Sequence, residues 1–551
     1  MFKVRLNKSY FILLVMSSMI FLSSSSFFLS DYLTKKLNNN NFSEVQFYFA
    51  LQKNYKAALR LEEKKYDIGT NHWLKFNRIL AKSEGSIALK LGYWYQQKAN
   101  EERSINGNNT STLSAIVWFE QAIRLNSQKA IVALAQLHYQ NNNLIKAQLT
   151  LNKLSIILSN SLLVEEALRL RFKIAIYDGN VALVKQLLND IKSSSHIKTK
   201  RLLANINKYG IVTSTIENDQ TDQKLLIKNK NNNNVEFENT SNCVSSLQLF
   251  ATNLKHLQYL EVLIKGFNKK SISTFICIPT PLYVSKKDIN CLAKSQQAIT
   301  CDESLWKNVA KGIDSRHIGL ILEEGGANVH LGILYIDAKD DINVFSHEVS
   351  HLLGFIDEYP LNKNHNICKS SQNDKFSHNI AVLKEYYRGT QVEVRNNILK
   401  GISWAHLIKE STPILVRVSA HKKNYWRLGT PLNYQDEIGV YLSETCEKST
   451  VKNNLSPNKG NVIDADFLSY AAFKPLQRAI QLRYYVNAFP KEYIKLITDN
   501  PLAYLMPSFH YNIALATYQQ KKIIDATYWL KRASQWEKNL SRKNIILKGQ
   551  F

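Results

Sequence analysis

Residues 345 to 359 run Phe-Ser-His-Glu-Val-Ser-His-Leu-Leu-Gly-Phe-Ile-Asp-Glu-Tyr and contain the pattern H-E-x-x-H-x-x-G-x-x-D. On a helix, His347 and His351 are four positions apart, so both imidazoles project from one face and can take two corners of a zinc tetrahedron. Glu348 is turned about 100° from His347, out of line with the two imidazoles but close enough to hold a water. Gly354 can adopt positive φ and end the helix. The chain can then double back and offer Asp357 as a third ligand, which leaves the fourth corner for water. The chemistry expected of such a set is hydrolysis of peptide bonds in a protein or peptide substrate. His347, His351 and Asp357 would hold Zn2+, and Glu348 would act as general base and return the proton to the leaving amine.

The extended pattern resembles that of the metzincins. With Asp357 in the third-ligand place, followed by Glu358 and Tyr359, it resembles the IgA-specific metallopeptidase family of metzincin type. Other stretches carry the same resemblance: Gly319-Leu-Ile-Leu322 and Gly325-Gly326 upstream, then Trp404, Thr412-Pro413, Gly439-Val-Tyr441 and Cys446 downstream. It covers about residues 243 to 490, under half of the chain. What the resemblance implies is an α+β fold with a metzincin-like zincin domain, a twisted sheet plus an active-site helix, flanked by α-helical repeat regions. Tyrosines elsewhere in that superfamily stabilise a developing oxyanion, which makes Tyr441 a candidate for this role beside its plainer reading as a packing residue. Glu358 is a candidate acceptor for the second N–H of a ligand imidazole. His330 and His365 can approach the cleft, although a solvated surface position is the plainer reading of each. One departure stands out: Lys448 occupies the place where the resemblance would put a methionine turn beneath the metal. Met506, the one methionine after the motif, reads as a packing residue.

The elements that must position these residues are legible in part. Ser273–Pro279, Ile318–Leu322 and Val329–Ile336 read as strands leading into the motif. Residues 43–212 read as helical repeats similar to tetratricopeptide or Sel1 units, because small residues alternate with large ones at helical spacing in Ala88, Leu91, Tyr95, Ala115, Phe119 and Ala122. Residues 491–551 repeat that pattern: Ala514, Tyr518 and Ala526 have the separations of Ala135, Tyr139 and Ala147. Between them, residues 213–242 are Asn-rich and too polar to offset the entropy of ordering, which marks a linker before a peptidase-like region at 243–490.

The chain has 551 residues, 45 % hydrophobic and 21 % charged, with 19 Gly and 10 Pro, which excludes global disorder and leans toward helix. Its formal charge of +26 is scattered as isolated pairs such as Lys64-Lys65 and Lys521-Lys522. It therefore reads as solvated surface rather than a nucleic-acid interface. Lys3, Arg5 and Lys8 precede the uncharged stretch Tyr10–Leu29, so residues 1–30 read as a signal peptide or membrane anchor that places the rest outside the cytoplasm. All six cysteines lie between Cys243 and Cys446, which suits disulfides in an exported domain and leaves their pairing open. A second reading keeps the same parts: an exported adaptor whose helical repeats hold a partner protein, with the zincin domain inactive.

Overall fold

The computed structural model describes residues 28–103, 110–154, 161–212 apart from 192, 193 and 195, 243–446 apart from 296, 363, 364, 370, 373 and 419–423, and 470–550. The polar stretch 213–242, Lys448 and nearly all of the N-terminal apolar segment lie outside the described residues. Among those described, no helix is long and apolar enough to cross a membrane. The chain divides into two compact units between Ile174 and Ala175.

The first unit is built from successive helices, among them Glu44–Gln52, Gly85–Arg103, Thr110–Arg124, Gln128–Gln140 and Leu144–Leu151. Their starts follow local chemistry: Ser43 and Gln46 close a reciprocal capping box, and Asn143 caps the last of these helices. Their ends do too, since Asn54, Asn126 and Asn142 take the left-handed conformation that asparagine tolerates. Ala88, Leu91, Ala115, Phe119, Ala122, Ala135 and Ala147 are all buried, so the small residues sit where neighbouring helices approach.

The second unit is a mixed α+β assembly. Its main sheet has the order β2-β1-β6-β8-β7, with strands β1 (Ser245–Ala251), β2 (Ile276–Cys277), β6 (His317–Leu322), β7 (Asn328–His330) and β8 (Ile333–Asp337), and β3 (Leu282–Tyr283) also pairs with β1. All of these pairings are parallel except that of β7 with β8. The inner strands are buried nearly throughout, which suits continuous apolar runs such as Ile318–Leu322. Two strand readings are revised. Ser271–Phe275 is a 3-10 turn and only Ile276–Cys277 pairs, Pro279 having no N–H to extend the ladder. Val329–Ile336 is a hairpin rather than one strand, because Leu331 and Gly332 both take positive φ, the geometry of a tight two-residue turn.

Helices Leu254–Phe267 and Ile342–Leu352 cover one face of the sheet and meet edge to face through Phe267 and Phe345. The other face is covered from the C-terminus: Phe509, Ile513, Ala514 and Trp529 pack on Phe250, Ile318, Leu320 and Tyr335. The helices Phe509–Gln519 and Ile523–Gln535 thus belong to the core that carries the motif. Asn142 and Lys521, at equivalent positions of the two related turns, share positive φ. The buried Arg316 guanidinium locks this layer down by donating to the carbonyls of Met506 and Trp536 and to Glu537 Oε1. Among the described residues three smaller sheets complete the unit: β4 (Cys291–Leu292) with β5 (Thr300–Cys301), β10-β12-β11 with β10 (Tyr386–Arg388), β11 (Leu415–Arg417) and β12 (Tyr425–Leu428), and β13-β14-β9 with β9 (Ala381–Lys384), β13 (Tyr441–Leu442) and β14 (Tyr470–Lys474). The cysteines pair as Cys243–Cys277, Cys291–Cys301 and Cys368–Cys446.

Three histidines of this unit are buried and neutral. Burial pushes His378 down to about 4, His510 to about 3 and His317 well below its ordinary value. The unfolded chain takes up these protons near pH 6.5 and the folded chain does not until far lower, so the unfolded state binds more protons as pH falls. Stability should therefore drop between about pH 6.5 and 4, His378 alone contributing ~3 kcal/mol. Urea midpoints at pH 7 and pH 5, measured with chelator present, check this. His510→Phe should flatten the slope.

Candidate metal and catalytic site

Strand β8 ends at Asp337, and the chain enters the motif helix at Asp341, whose carboxylate accepts from the main-chain N–H groups of Asn343 and Val344. The helix Ile342–Leu352 lies with His347 and Glu348 buried and His351 half-buried. It ends at Gly354, whose φ is 92°, and a Cβ there would collide with the carbonyl of Tyr504. No other residue type permits this reversal and this close approach together.

The reversal brings Asp357 back over the helix. The Nε2 atoms of His347 and His351 are 3.1 Å apart, and Asp357 Oδ1 is 2.9 and 3.3 Å from them. Each imidazole is oriented from behind: Nδ1 of His347 lies 3.0 Å from the Gln481 carbonyl and Nδ1 of His351 lies 3.0 Å from the Phe355 carbonyl. A carbonyl can only accept, so in the neutral rings both protons sit on Nδ1 and both Nε2 lone pairs face the same point. Asp357 Oδ1 faces it as well and, buried, accepts no directed hydrogen bond. Three acceptors thus converge at separations close to the ~3.3 Å edge of a tetrahedron with ~2.0 Å bonds. A cation placed at that point would be bonded by all three, so the donor set fits a metal ion on the chemistry of its own atoms.

The electrostatics show the same demand for positive charge at this point, which a proton on His351 also meets. Burial pushes the His351 imidazole down, but the carboxylates of Asp357 and Glu348 outweigh it and hold it up at about 10. Burial would raise Asp357, yet His351 and His347 keep its carboxyl below the usual range. Glu348 is outside this triad, although its carboxylate and the two imidazoles present ligand-type atoms within 4.8 Å of one another. Burial raises its pKa, partly offset by the neighbouring histidines. A carboxylate made more basic in this way is suited to take a proton near neutral pH.

Asp357 is held in place by its neighbours along the chain. Its carbonyl accepts from Thr445 Oγ1 at 2.7 Å, and the N–H of Glu358 donates to the Leu482 carbonyl at 2.9 Å. Ile356 exchanges hydrogen bonds with the Asn379 side chain on the other side. Glu358 itself faces inward. Its Oε2 takes Lys474 Nζ at 2.9 Å, and its Oε1 accepts from the Tyr493 hydroxyl and from Asn379 Nδ2. It is not the acceptor for either motif imidazole, because main-chain carbonyls already fill that role for both rings. Tyr441 is likewise elsewhere: its hydroxyl donates toward the carbonyls of Tyr434 and Glu437.

A cavity of about 480 Å³ opens beside Glu348, His351 and Asp357. His365 lines it, and His330 does not, its ring facing Asn512 and Glu303 instead. Met506, expected only to pack, lines the cavity too. Two tyrosines that motif reasoning passed over flank the site. Tyr359 stacks parallel to His347 and hydrogen-bonds Asp357, and Tyr485 meets His347 edge-on at 4.6 Å. The signal for Tyr359 was its place in the motif. Nothing local marked Tyr485 or Gln481, which reach His347 from a turn 134 residues away.

No family model, no curated protein and no solved structure matches the chain.

Proposed function

We propose that this chain is an exported zinc-dependent endopeptidase of metzincin type, similar to the IgA-specific metallopeptidases in its motif. The observation that carries the reading is the convergence of His347 Nε2, His351 Nε2 and Asp357 Oδ1 on one point, with both Nδ1 atoms turned to carbonyls. Zinc bound there would supply Lewis acidity and lower the pKa of a water toward ~7. The chain's own residues do the rest. Glu348 takes the proton of the attacking water and delivers it to the leaving nitrogen. Tyr359 and Tyr485 wall the site, and Tyr359 restrains the Asp357 carboxylate. Strand β7 is an edge of the main sheet, and Asn328 and Val329 line the cavity, so an extended peptide can add to this edge by main-chain hydrogen bonds and set its scissile carbonyl beside the water from which Glu348 takes a proton.

Two measurements on the purified chain test this together. Elemental analysis after zinc loading and dialysis should find about one zinc per chain, lost in His351→Ala and reduced at least about tenfold in affinity in Asp357→Ala. A digest of a mixed peptide library should show zinc-dependent cleavage that chelator abolishes. Bound zinc without any turnover would favour the adaptor reading, in which the helical hairpins of the first unit hold a partner protein.

A further inference from the structure

Residues 381 to 388 run through two strands separated only by Glu385: β9, at the edge of the sheet β13-β14-β9, and β10, at the edge of β10-β12-β11. The N–H of Leu428 donates to the Glu385 carbonyl and that of Gly389 to the Asn424 carbonyl, so residues 385 and 389 bond toward β12. The alternation of an antiparallel ladder then turns the main-chain groups of Tyr386 the other way, toward the edge. A cavity of about 560 Å³ lies here, and all three residues of β10 line it. Neighbouring strand residues point to opposite faces, so a hollow that meets all three follows the rim of the strand rather than one face. A further wall is the end of the helix Gln391–Gly401, with Asn397 and Lys400.

Three of the lining side chains are cations, Lys384, Arg388 and Lys400, and all three are exposed. Among the described residues no carboxylate lines the cavity, and neither Lys384 nor Lys400 takes part in an ion pair. Glu385, the acid nearest in sequence, is buried. The cavities beside the motif, beside Arg316 and in the first unit differ in this respect, since each carries at least one carboxylate. Like charges gathered around a hollow raise the local potential and favour a ligand that brings several negative groups at once. The edge strand supplies the other half of recognition, main-chain hydrogen bonds that an extended polypeptide completes. The same cations keep a second copy of this basic chain off the edge, which leaves an acidic strand as the one that fits.

We propose that this edge is a docking site for an extended, acidic segment of a partner protein, which adds a strand beside β10 and sets its carboxylates against Lys384, Arg388 and Lys400. The site shares no lining residue with the motif cavity, so it holds its partner whether or not the chain cleaves it. One loop borders both: Ile367 and Phe376 line the motif cavity, and Ser371 and Gln372 between them line the basic one. A protein held here lies beside the motif cavity, where a tethered substrate gains effective concentration.

Rhodamine-labelled dodecapeptides test the site by fluorescence anisotropy at about 0.15 M salt, on zinc-loaded Glu348→Ala protein. The main probe alternates Glu with Thr, and a neutral probe alternates Gln with Thr. Two further probes keep Glu and Thr but are methylated on all Thr nitrogens or on all Glu nitrogens. The Glu probe should bind, and the Gln probe should bind at least about tenfold more weakly. Only one set of nitrogens faces β10, so one methylated probe should also lose at least about tenfold. Lys384→Glu with Lys400→Glu should weaken the Glu probe by at least about tenfold. Lys384→Gln with Lys400→Gln, the milder pair, should weaken it in the same direction. Lys64→Glu with Lys82→Glu makes the same change in net charge at exposed positions of the first unit and should leave binding within about twofold. Equal weakening by the two charge-reversed pairs would show only the general attraction of a basic chain and overturn the site. Methylated probes that both bind as tightly as their parent would overturn strand addition. A heparin hexasaccharide that binds more tightly than the Glu probe, and loses that binding in the Lys384 and Lys400 variant, would overturn a polypeptide partner.

Discussion

Glu348→Ala is expected to lower kcat/KM on any peptide the chain cleaves by about 10²–10⁴, while about one zinc stays bound. The reason is positional. Glu348 is not one of the three atoms that converge between His347, His351 and Asp357, so its loss leaves the donor set intact. It does remove the buried carboxylate beside them. Folding should not suffer. Burial raises the pKa of Glu348 above its unfolded value, so at neutral pH the ionised carboxylate weakens the fold, and its removal should leave the melting temperature unchanged or raise it. Zinc content, melting temperature and library cleavage measured on one preparation check all three points. Equal cleavage by the variant and the unsubstituted chain would sink the mechanism.

Glu358→Ala should have the opposite profile, with its damage falling on the fold. Glu358 and Lys474 form a pair that is almost wholly buried, and Tyr493 and Asn379 complete the carboxylate's hydrogen bonds. Truncating the acid strands an ammonium and a hydroxyl in the core, a cost of about 3–5 kcal/mol, or roughly 4–8 °C in the melting temperature of a unit this large. The double replacement Glu358→Met with Lys474→Met removes both charges and should recover much of that loss. Zinc should bind to the double variant, because Asp357 is placed by main-chain contacts to Thr445 and Leu482 rather than by the Glu358 side chain. Scanning calorimetry with zinc titration distinguishes these expectations. A melting temperature unchanged in Glu358→Ala would show that the buried pair contributes nothing.

How far each residue's role was legible follows from how local its cause is. His347, Glu348 and His351 were readable because helix periodicity sets which side chains share a face, and Gly354 because a helix end needing positive φ leaves few residue types. Asp357 followed from the same reversal. Glu358 was misjudged for the opposite reason. Beside Asp357 in sequence it points away from it in space, toward a lysine 116 residues downstream. Tyr441 was placed by resemblance alone, and its hydroxyl is occupied by two carbonyls of its own loop.

By itself, the amino-acid sequence determined the helix-rich mixed character of the chain, the spacing of His347 and His351 on one helix face and the chain reversal after the motif, all products of interactions within a few residues. Only the tertiary structure decided what stands behind and beside that motif: Gln481 orienting the His347 imidazole, Tyr485 against His347, and Tyr504 and Met506 walling the cavity from the C-terminal region. Those contacts join segments more than a hundred residues apart. Their partners are chosen by the packing of the sheet and its two helical layers, and no local pattern of residues encodes that choice.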